Sequence, residues 1–271
     1  MLYNQLVSLN TKIDSQLKVG AVITAAGSSQ RMGGADKVLA LLGGKPILAR
    51  VIDVFHRCQS VGQVVVVVTE KNVKWCQQLV TEQGWSKVTD VCLGGERRQD
   101  SVAAGLSRLK DCYWAVIHDG ARPLLTEDLI YRGLTEAEET GAAVAAVPIS
   151  DTIKLAGDDH IVQQTLLRHN LWAAQTPQIF RFDIIAEAYH QAKGDVTDDA
   201  SLVEQLGYRV KLYMGSYDNI KITAPEDLAL AELLPYFINK VSQFRLFSHN
   251  GSINIIYLPA IFCQLIPYPF K

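Results

Sequence analysis

Val64-Val65-Val66-Val67-Val68, followed by Thr69, cannot form a strand with one wet face. Successive side chains point to opposite sides, so every second valine would stand in water. The run suits a strand covered on both faces, the habit of parallel sheets. On either side of it the chain alternates short apolar runs with amphipathic stretches. Gly20–Ala25, Val64–Thr69, Lys87–Leu93, Trp114–His118 and Ala142–Val147 read as strands. Ile47–Arg57, Asn72–Gln83, Gln99–Leu109 and Glu127–Glu139 read as helices. Asp100 is a candidate cap for the third helix. Thr126 stands before Glu127 and Asp128, a polar and acidic start suited to a helix N-terminus. This alternation predicts an α/β fold: a three-layer sandwich on a mostly parallel, Rossmann-like sheet.

Past Val147 the rhythm changes. Residues 148–175 hold no clean helix, and Gly157-Asp158-Asp159 lies between Thr152–Leu155 and Ile161–Leu166, the pattern of a protruding hairpin arm. Helices are expected again at Phe182–Ala192 and Asp198–Leu206, strands at Arg209–Tyr213 and Ile220–Ile222, and a last helix from Pro225. One domain over 19–235 follows, after an extension at 1–18 and before an appendage at 236–271.

Composition narrows the function classes. With 26 Lys and Arg against 28 Asp and Glu the net charge is −2, which argues against capture of nucleic acid by charge. Hydrophobic residues at 48% and charged residues at 20% allow a sizeable core. Cys58, Cys76, Cys92, Cys112 and Cys263 form no CxxC pair, so reduced thiols in a cytoplasmic enzyme are expected rather than a disulfide scaffold or zinc site. The first eighteen residues lack signal-peptide character, and a plastid location would require a transit peptide already removed. No run reaches the ~18–20 apolar residues of a membrane span. The nearest, 253–270, is interrupted by Pro259, Pro267 and Pro269.

In open α/β sheets ligands bind beyond the carboxyl ends of the strands. The first such loop reads Ala25-Ala26-Gly27-Ser28-Ser29-Gln30-Arg31-Met32-Gly33-Gly34-Ala35-Asp36-Lys37. It is neither GxGxxG nor GxxxxGK[ST]. What it offers is a small-residue backbone for phosphate oxygens and two cations, Arg31 and Lys37. A turn bearing two solvated charges is the bland alternative, disfavoured by its place after the first strand.

The pattern Ala25-Ala26-Gly27-x-x-x-Arg31-Met32 with Lys37 resembles the signature loop of sugar-phosphate nucleotidylyltransferases. Five further segments follow in order: Gly94-Gly95-x-x-Arg98-x-Asp100-Ser101-Val102, His118-Asp119-Gly120-Ala121-Arg122-Pro123, Leu171-Trp172-Ala173-Ala174-Gln175-Thr176-Pro177-Gln178, Thr197-Asp198-Asp199-Ala200-Ser201 and Asp218-Asn219-Ile220-Lys221. Together they resemble the 2-C-methyl-D-erythritol 4-phosphate cytidylyltransferase (IspD) family, over roughly Val19 to Leu234.

The resemblance implies transfer of CMP from CTP to methylerythritol phosphate with release of pyrophosphate. By it, Arg31 and Lys37 stabilise the pentavalent transition state, and Ala25, Ala26, Gly27 and Ser28 cradle the nucleotide. Gly94, Gly95 and Ser101 hold cytosine and ribose, with Arg98 beside them as an organiser. Asp119 lies near the sugar-phosphate hydroxyls, Arg168 and Lys221 orient the acceptor, and Thr152 and Thr176 add contacts. Thr197 and Asp198 suit either ligand contacts or a helix cap. Arg122 is mostly structural, and His118 reads as a packed core residue. The family usually shows Ala where this chain has Gly120. The resemblance also implies a homodimer joined through the arm, so that Arg168 serves the neighbour's site. Mg²⁺ is expected through the CTP phosphates rather than in a protein cage, since it favours phosphate and water oxygens.

Four rivals are weighed against these features. A ribitol or ribulose 5-phosphate cytidylyltransferase shares the loop, HDxxRP and TPQ segments, but Thr197–Ser201 and Leu171–Ala174 favour the methylerythritol enzyme. A hexose-phosphate enzyme is commonly longer and lacks this set. A silent nucleotide-binding module is disfavoured by intact Arg31, Lys37, Arg168 and Lys221, and a nicotinamide dehydrogenase by the missing GxGxxG.

Overall fold

The structure, a computed structural model, describes residues 18–27 and 36–244. Its central sheet has the order β11-β7-β10-β6-β1-β4-β5. The strands are β1 (Val19–Ala25), β4 (Val61–Val68), β5 (Val88–Leu93), β6 (Trp114–Asp119), β7 (Ala142–Pro148), β10 (Trp172–Arg181) and β11 (Lys211–Met214). Two short strands, β2 (Leu41–Leu42) and β3 (Lys45–Pro46), pair with each other outside it. β1 runs parallel to β4 and β6, β4 to β5, and β7 to β11, while β10 is antiparallel to β6 and β7. The sheet is therefore mostly parallel, as the valine run predicts.

The valines divide as a strand covered on both faces requires. Val64, Val66 and Val68 pack on one side with Leu48, Ile52 and Phe55 of α1 (Ile47–Arg57), Cys76 of α2 (Val73–Gln83), and Leu129, Ile130 and Leu134 of α4 (Glu127–Thr140). Val65 and Val67 pack on the other with Val102 and Leu106 of α3 (Arg98–Leu106), Ile184 and Ile185 of α5 (Phe182–Gln191), and Leu202 and Val203 of α6 (Asp199–Gln205). These are the three layers. The last helix, α7 (Pro225–Phe244), begins at Pro225 as expected. The main compact unit ends at Glu232, and the remainder of α7 falls in a second unit. Residues 1–17 of the extension expected at 1–18, and 245–271 of the appendage expected at 236–271, lie outside the described residues, while 236–244 continue α7.

Several local expectations need correction. Residues 172–175, read as the end of the hairpin arm, belong instead to the sheet strand β10, and Gln175, Thr176 and Gln178 within it are buried. Ile220–Ile222 is not a strand: Ile222 N–H donates to the Ala121 carbonyl at 2.8 Å and Ile220 N–H turns back to the Asp218 carbonyl at 2.8 Å, and no ladder continues from them. Asp100 is not the N-cap of α3. Arg97 takes that place, and Asp100 in the first turn accepts from the Arg97 backbone N–H at 3.1 Å. Thr126 does cap α4, its hydroxyl accepting from Leu129 N–H.

Between β7 and β10 the hairpin arm is β8 (Lys154–Ala156) paired antiparallel with β9 (Val162–Thr165). Leu155, Ile161, Val162 and Leu167 on and beside it are exposed.

The chain leaves β1 toward β4 and β5 on one side, then returns to place β6 on the other. That reversal opens a crevice past the carboxyl ends of β1 and β6, the position where α/β sheets bind ligands.

Candidate functional site

A cavity lies in this crevice. Thr24, Ala25, Ala26 and Gly27 from the end of β1 form one wall, Lys37 and Val38 another, and Gly95 to Arg98 with Ser101 a third. Asp119, Ala121 and Lys221 complete the lining. The structure thus brings together Ala25, Ala26, Gly27, Lys37, Gly95, Arg98, Ser101, Asp119 and Lys221, which sequence reasoning singled out from separate segments. Gly94 lies just behind: a Cβ there would meet the Ser101 Oγ at 2.6 Å, so glycine lets the loop close on α3. The Ser101 hydroxyl accepts from Gly95 N–H at 3.2 Å and is buried, which fixes the loop. At Gly120, a Cβ would approach Ala25 Cβ at 3.1 Å and Leu48 Cδ1 at 3.2 Å, so the methyl usual in the family would be crowded in this chain.

Asp119, the last residue of β6, is the electrostatic centre. Its Oδ1 accepts from Arg98 Nε at 3.2 Å, and its Oδ2 accepts from Lys221 Nζ at 2.8 Å with Arg122 Nε at 3.7 Å. Burial by itself raises a carboxyl pKa, but Arg98, Lys221 and Arg122 together hold Asp119 well below the usual carboxylate range. Five described cations (Lys37, Arg97, Arg98, Arg122 and Lys221) thus stand in or beside the cavity, a field suited to polyphosphate.

Lys221 is aimed by its neighbours. Arg122 donates to the Asn219 carbonyl at 2.7 Å, and buried Asn219 donates to the Thr176 carbonyl at 2.8 Å. Arg122 is accordingly a structural brace, as expected. Asn219 is a supporting residue that sequence reasoning missed, although it stands in the quoted Asp218–Lys221 segment.

Thr176 sits behind Asp119 rather than on the cavity wall. Its Oγ accepts from Asp119 N–H at 3.0 Å and lies 3.0 Å from His118 Nδ1. The other His118 nitrogen, Nε2, faces the Arg122 carbonyl at 3.3 Å. A carbonyl only accepts, so Nε2 carries the proton and Nδ1 accepts from Thr176. Burial pushes the His118 pKa down to about 4, and the ring is a neutral core group that also packs on Phe55.

A pH prediction follows from this neutral ring. The unfolded chain binds the His118 proton near pH ~6.5, above the folded value. The contribution is therefore whole above pH ~6.5 and is lost as pH falls toward 4, by up to about 3 kcal/mol. The unfolding temperature should drop through that window, and the slope should flatten in His118→Asn. Equal slopes in the two proteins would refute this assignment.

Other expected site residues lie elsewhere. Thr152 and Arg168 are exposed on the arm and do not line the cavity; Arg168 donates to the Ser150 carbonyl at 2.9 Å. Thr197 is exposed and away from the lining, while Asp198 caps α6, accepting from Ser201 N–H at 3.1 Å. Ser28 and Arg31 lie outside the described residues. Among the described residues no three His, Cys, Asp or Glu side chains converge to hold a metal. Cys58, Cys76, Cys92 and Cys112 are free thiols, and Cys263 is outside the described residues.

Comparison with known proteins adds to this geometry. Residues 19–235 match the model of the family described as "IspD: 2-C-methyl-D-erythritol 4-phosphate cytidylyltransferase". The chain is 52% identical over 217 residues to the 2-C-methyl-D-erythritol 4-phosphate cytidylyltransferase of Dehalococcoides mccartyi, covering 80% of this chain and 96% of the relative. The crystal structure of 4-diphosphocytidyl-2C-methyl-D-erythritol synthase from Anaerococcus prevotii superposes with a TM-score of 0.73 at 27% identity, covering 82% of this chain and 97% of that one. The Thermus thermophilus 2-C-methyl-D-erythritol 4-phosphate cytidylyltransferase superposes with a TM-score of 0.65 at 30% identity, covering 81% and 100%.

Proposed function

The chain belongs to the 2-C-methyl-D-erythritol 4-phosphate cytidylyltransferase family, and from that membership we infer the work of each part of its cavity. The enzyme transfers CMP from CTP to 2-C-methyl-D-erythritol 4-phosphate, giving 4-diphosphocytidyl-2-C-methyl-D-erythritol and pyrophosphate in the non-mevalonate isoprenoid pathway. The observation that carries our reading of the site is the group of cations around the buried carboxylate Asp119, at the crevice beyond β1 and β6.

An oxygen of the acceptor phosphate attacks the α-phosphorus of CTP, and the bond from that phosphorus to the β-phosphate bridging oxygen breaks. Both reactants are anions, so catalysis is positioning plus cationic stabilisation. Lys37 and Arg31 stabilise the charge that spreads over the phosphoryl oxygens, Arg31 through parallel N–H groups and Lys37 as a point charge. The backbone of Ala25 to Ser28 cradles the triphosphate. Gly94, Gly95 and Ser101 hold cytosine and ribose, with Arg98 beside them. Asp119 and Lys221 receive the acceptor, its hydroxyls and its phosphate respectively. Arg168 and Thr152 complete the acceptor pocket from the arm, and Thr176 and Thr197 support it.

Mg²⁺ is the proposed metal, neutralising triphosphate charge when bound. The donor set fits that role, because Asp119 is already committed to cations and the metal's oxygens would come from phosphate and water. A homodimer through the arm is proposed because a lone two-stranded ribbon is marginal in water and this one bears bare Leu155, Ile161, Val162 and Leu167. We assign the enzyme to the cytoplasm, a reading supported by the free described thiols. No described helix is long and apolar enough to cross a membrane.

Two experiments test this reading. Pyrophosphate release with CTP and Mg²⁺ should occur with methylerythritol 4-phosphate; release with ribitol 5-phosphate alone would overturn the acceptor. For the arm, mixing Arg168→Ala subunits with Lys37→Ala subunits should restore part of the activity. No recovery despite demonstrated subunit exchange would show that each site is built from one chain.

A further inference from the structure

Arg98, the first residue of α3, stands between two carboxylates from separate elements, Asp119 at the end of β6 and Asp199 at the start of α6. Its Nε donates to Asp119 Oδ1 at 3.2 Å, and its terminal nitrogen donates to Asp199 Oδ2 at 2.8 Å. Asp199, the first residue of α6, is fully buried, and its other oxygen accepts from the Tyr189 hydroxyl of α5 at 2.6 Å. The second oxygen of Asp119 accepts from Lys221. A continuous chain therefore runs Tyr189–Asp199–Arg98–Asp119–Lys221. Asp199 does not line the cavity.

A guanidinium is a planar fork whose donors have fixed directions. With one end held by a buried, doubly bonded Asp199, the other end dictates where Asp119 Oδ1 sits. The orientation of that carboxylate then determines where its Oδ2 meets the Lys221 ammonium. A lysine at 98 would reach only one of the two carboxylates and could not transmit this constraint.

We propose that Arg98 is a positioning residue for the acceptor half of the site: anchored by Asp199 and Tyr189, it aims Asp119 and, through it, Lys221 at the acceptor phosphate. The proposal rests on the reading that Asp119 and Lys221 face the methylerythritol phosphate. It gives a task to Asp199, a carboxylate off the cavity wall.

The test separates acceptor from nucleotide. KM for methylerythritol 4-phosphate and for CTP, with kcat, is measured by pyrophosphate release for Asp199→Asn, Tyr189→Phe, Arg98→Met and the Arg98→Met/Asp199→Asn double variant, beside unfolding temperature. Losing a hydrogen bond to a charged group should raise the acceptor KM roughly ten- to hundredfold in Asp199→Asn, with the CTP KM within about twofold. The double variant should be no worse than Arg98→Met alone, because both act through one chain of contacts. Arg98→Lys should not rescue.

An unchanged acceptor KM with a lowered unfolding temperature would show a purely structural pair and overturn the proposal. A rise confined to the CTP KM would make Arg98 a nucleotide ligand instead, and would also overturn it. Should Asp199→Asn fail to fold, Tyr189→Phe carries the same readout with a smaller expected rise, and an unmoved acceptor KM there counts against the relay. Wild-type turnover with CTP and methylerythritol phosphate is the control. Its absence would bring down the functional reading and the relay together, whereas full wild-type turnover with unmoved variants would bring down the relay alone.

Discussion

Replacing Lys37 by alanine is expected to lower turnover by about two to three orders of magnitude while moving the unfolding temperature by no more than ~2 °C. The turn that carries Lys37 is anchored by other groups. Leu39 N–H donates to the Asp36 carbonyl at 3.0 Å, and Leu48 N–H donates to the Val38 carbonyl at 3.0 Å. The Asp36 carboxylate accepts from buried Asn72 at 2.5 Å, and Val38 is buried beneath. Truncation at 37 leaves those anchors in place and removes an ammonium from the cavity wall. A donor positioned at developing charge is worth ~3–4 kcal/mol because it acts in a preorganised site without reorganisation. The loss should appear in kcat at saturating CTP. Arg31→Ala should behave alike if its guanidinium shares the task. Near-normal turnover in both purified variants would remove the two cations from the chemistry.

How much of this was legible in the chain varies with how far each decisive partner lies along it. The valine run declares a strand with two dry faces by itself, and Ile47–Arg57 declares its helix through local spacing, because both patterns report burial at short range. The first loop of the cavity was legible because loops after parallel strands lie at the ligand-binding end of the sheet, which singles out Ala25 to Lys37, whereas Gly95 and Asp119 were grouped with it through the family resemblance. Strand β10 was not legible. Gln175, Thr176 and Gln178 are polar residues that carry no strand signal of their own, yet each is buried with a remote partner: Ser216, Asp119 and Asp198 respectively. Nothing local announces such partners. The same holds for Arg98, whose carboxylates lie 21 and 101 positions away. Conversely, the β-branched look of Ile220–Ile222 reflects burial of Ile222 under α7, beside Leu228 and Ala231, rather than strand pairing.

That missed strand supports the second large effect. Phe180→Ala should lower the unfolding temperature by about 6–20 °C, the shift expected from ~3–5 kcal/mol in a domain of this size. Phe180 is fully buried on β10 and stands opposite Ala115 of β6 and Ala142 of β7. Both cross-strand neighbours are alanines, with no side-chain reach to fill the space that the ring would vacate. The remaining wall, including Ile184, Ile185 and Ala188 of α5, is held by its own helix. Little collapse is available, and the penalty of an empty cavity adds to the lost transfer free energy. Activity should respond differently. Phe180 lies several residues along β10 from Gln175 and Thr176, which hold the Asp119 and Asn219 backbone and side-chain partners. Turnover per folded molecule at 25 °C should therefore stay within about twofold of the parent, since well-separated sites contribute nearly independently. A smaller thermal shift than ~2 °C would mean that β10 is not clamped between β6 and β7 as described. A full thermal shift with lost turnover in the folded protein would mean that the strand transmits strain to the Asp119 cluster, and that core and crevice are mechanically one.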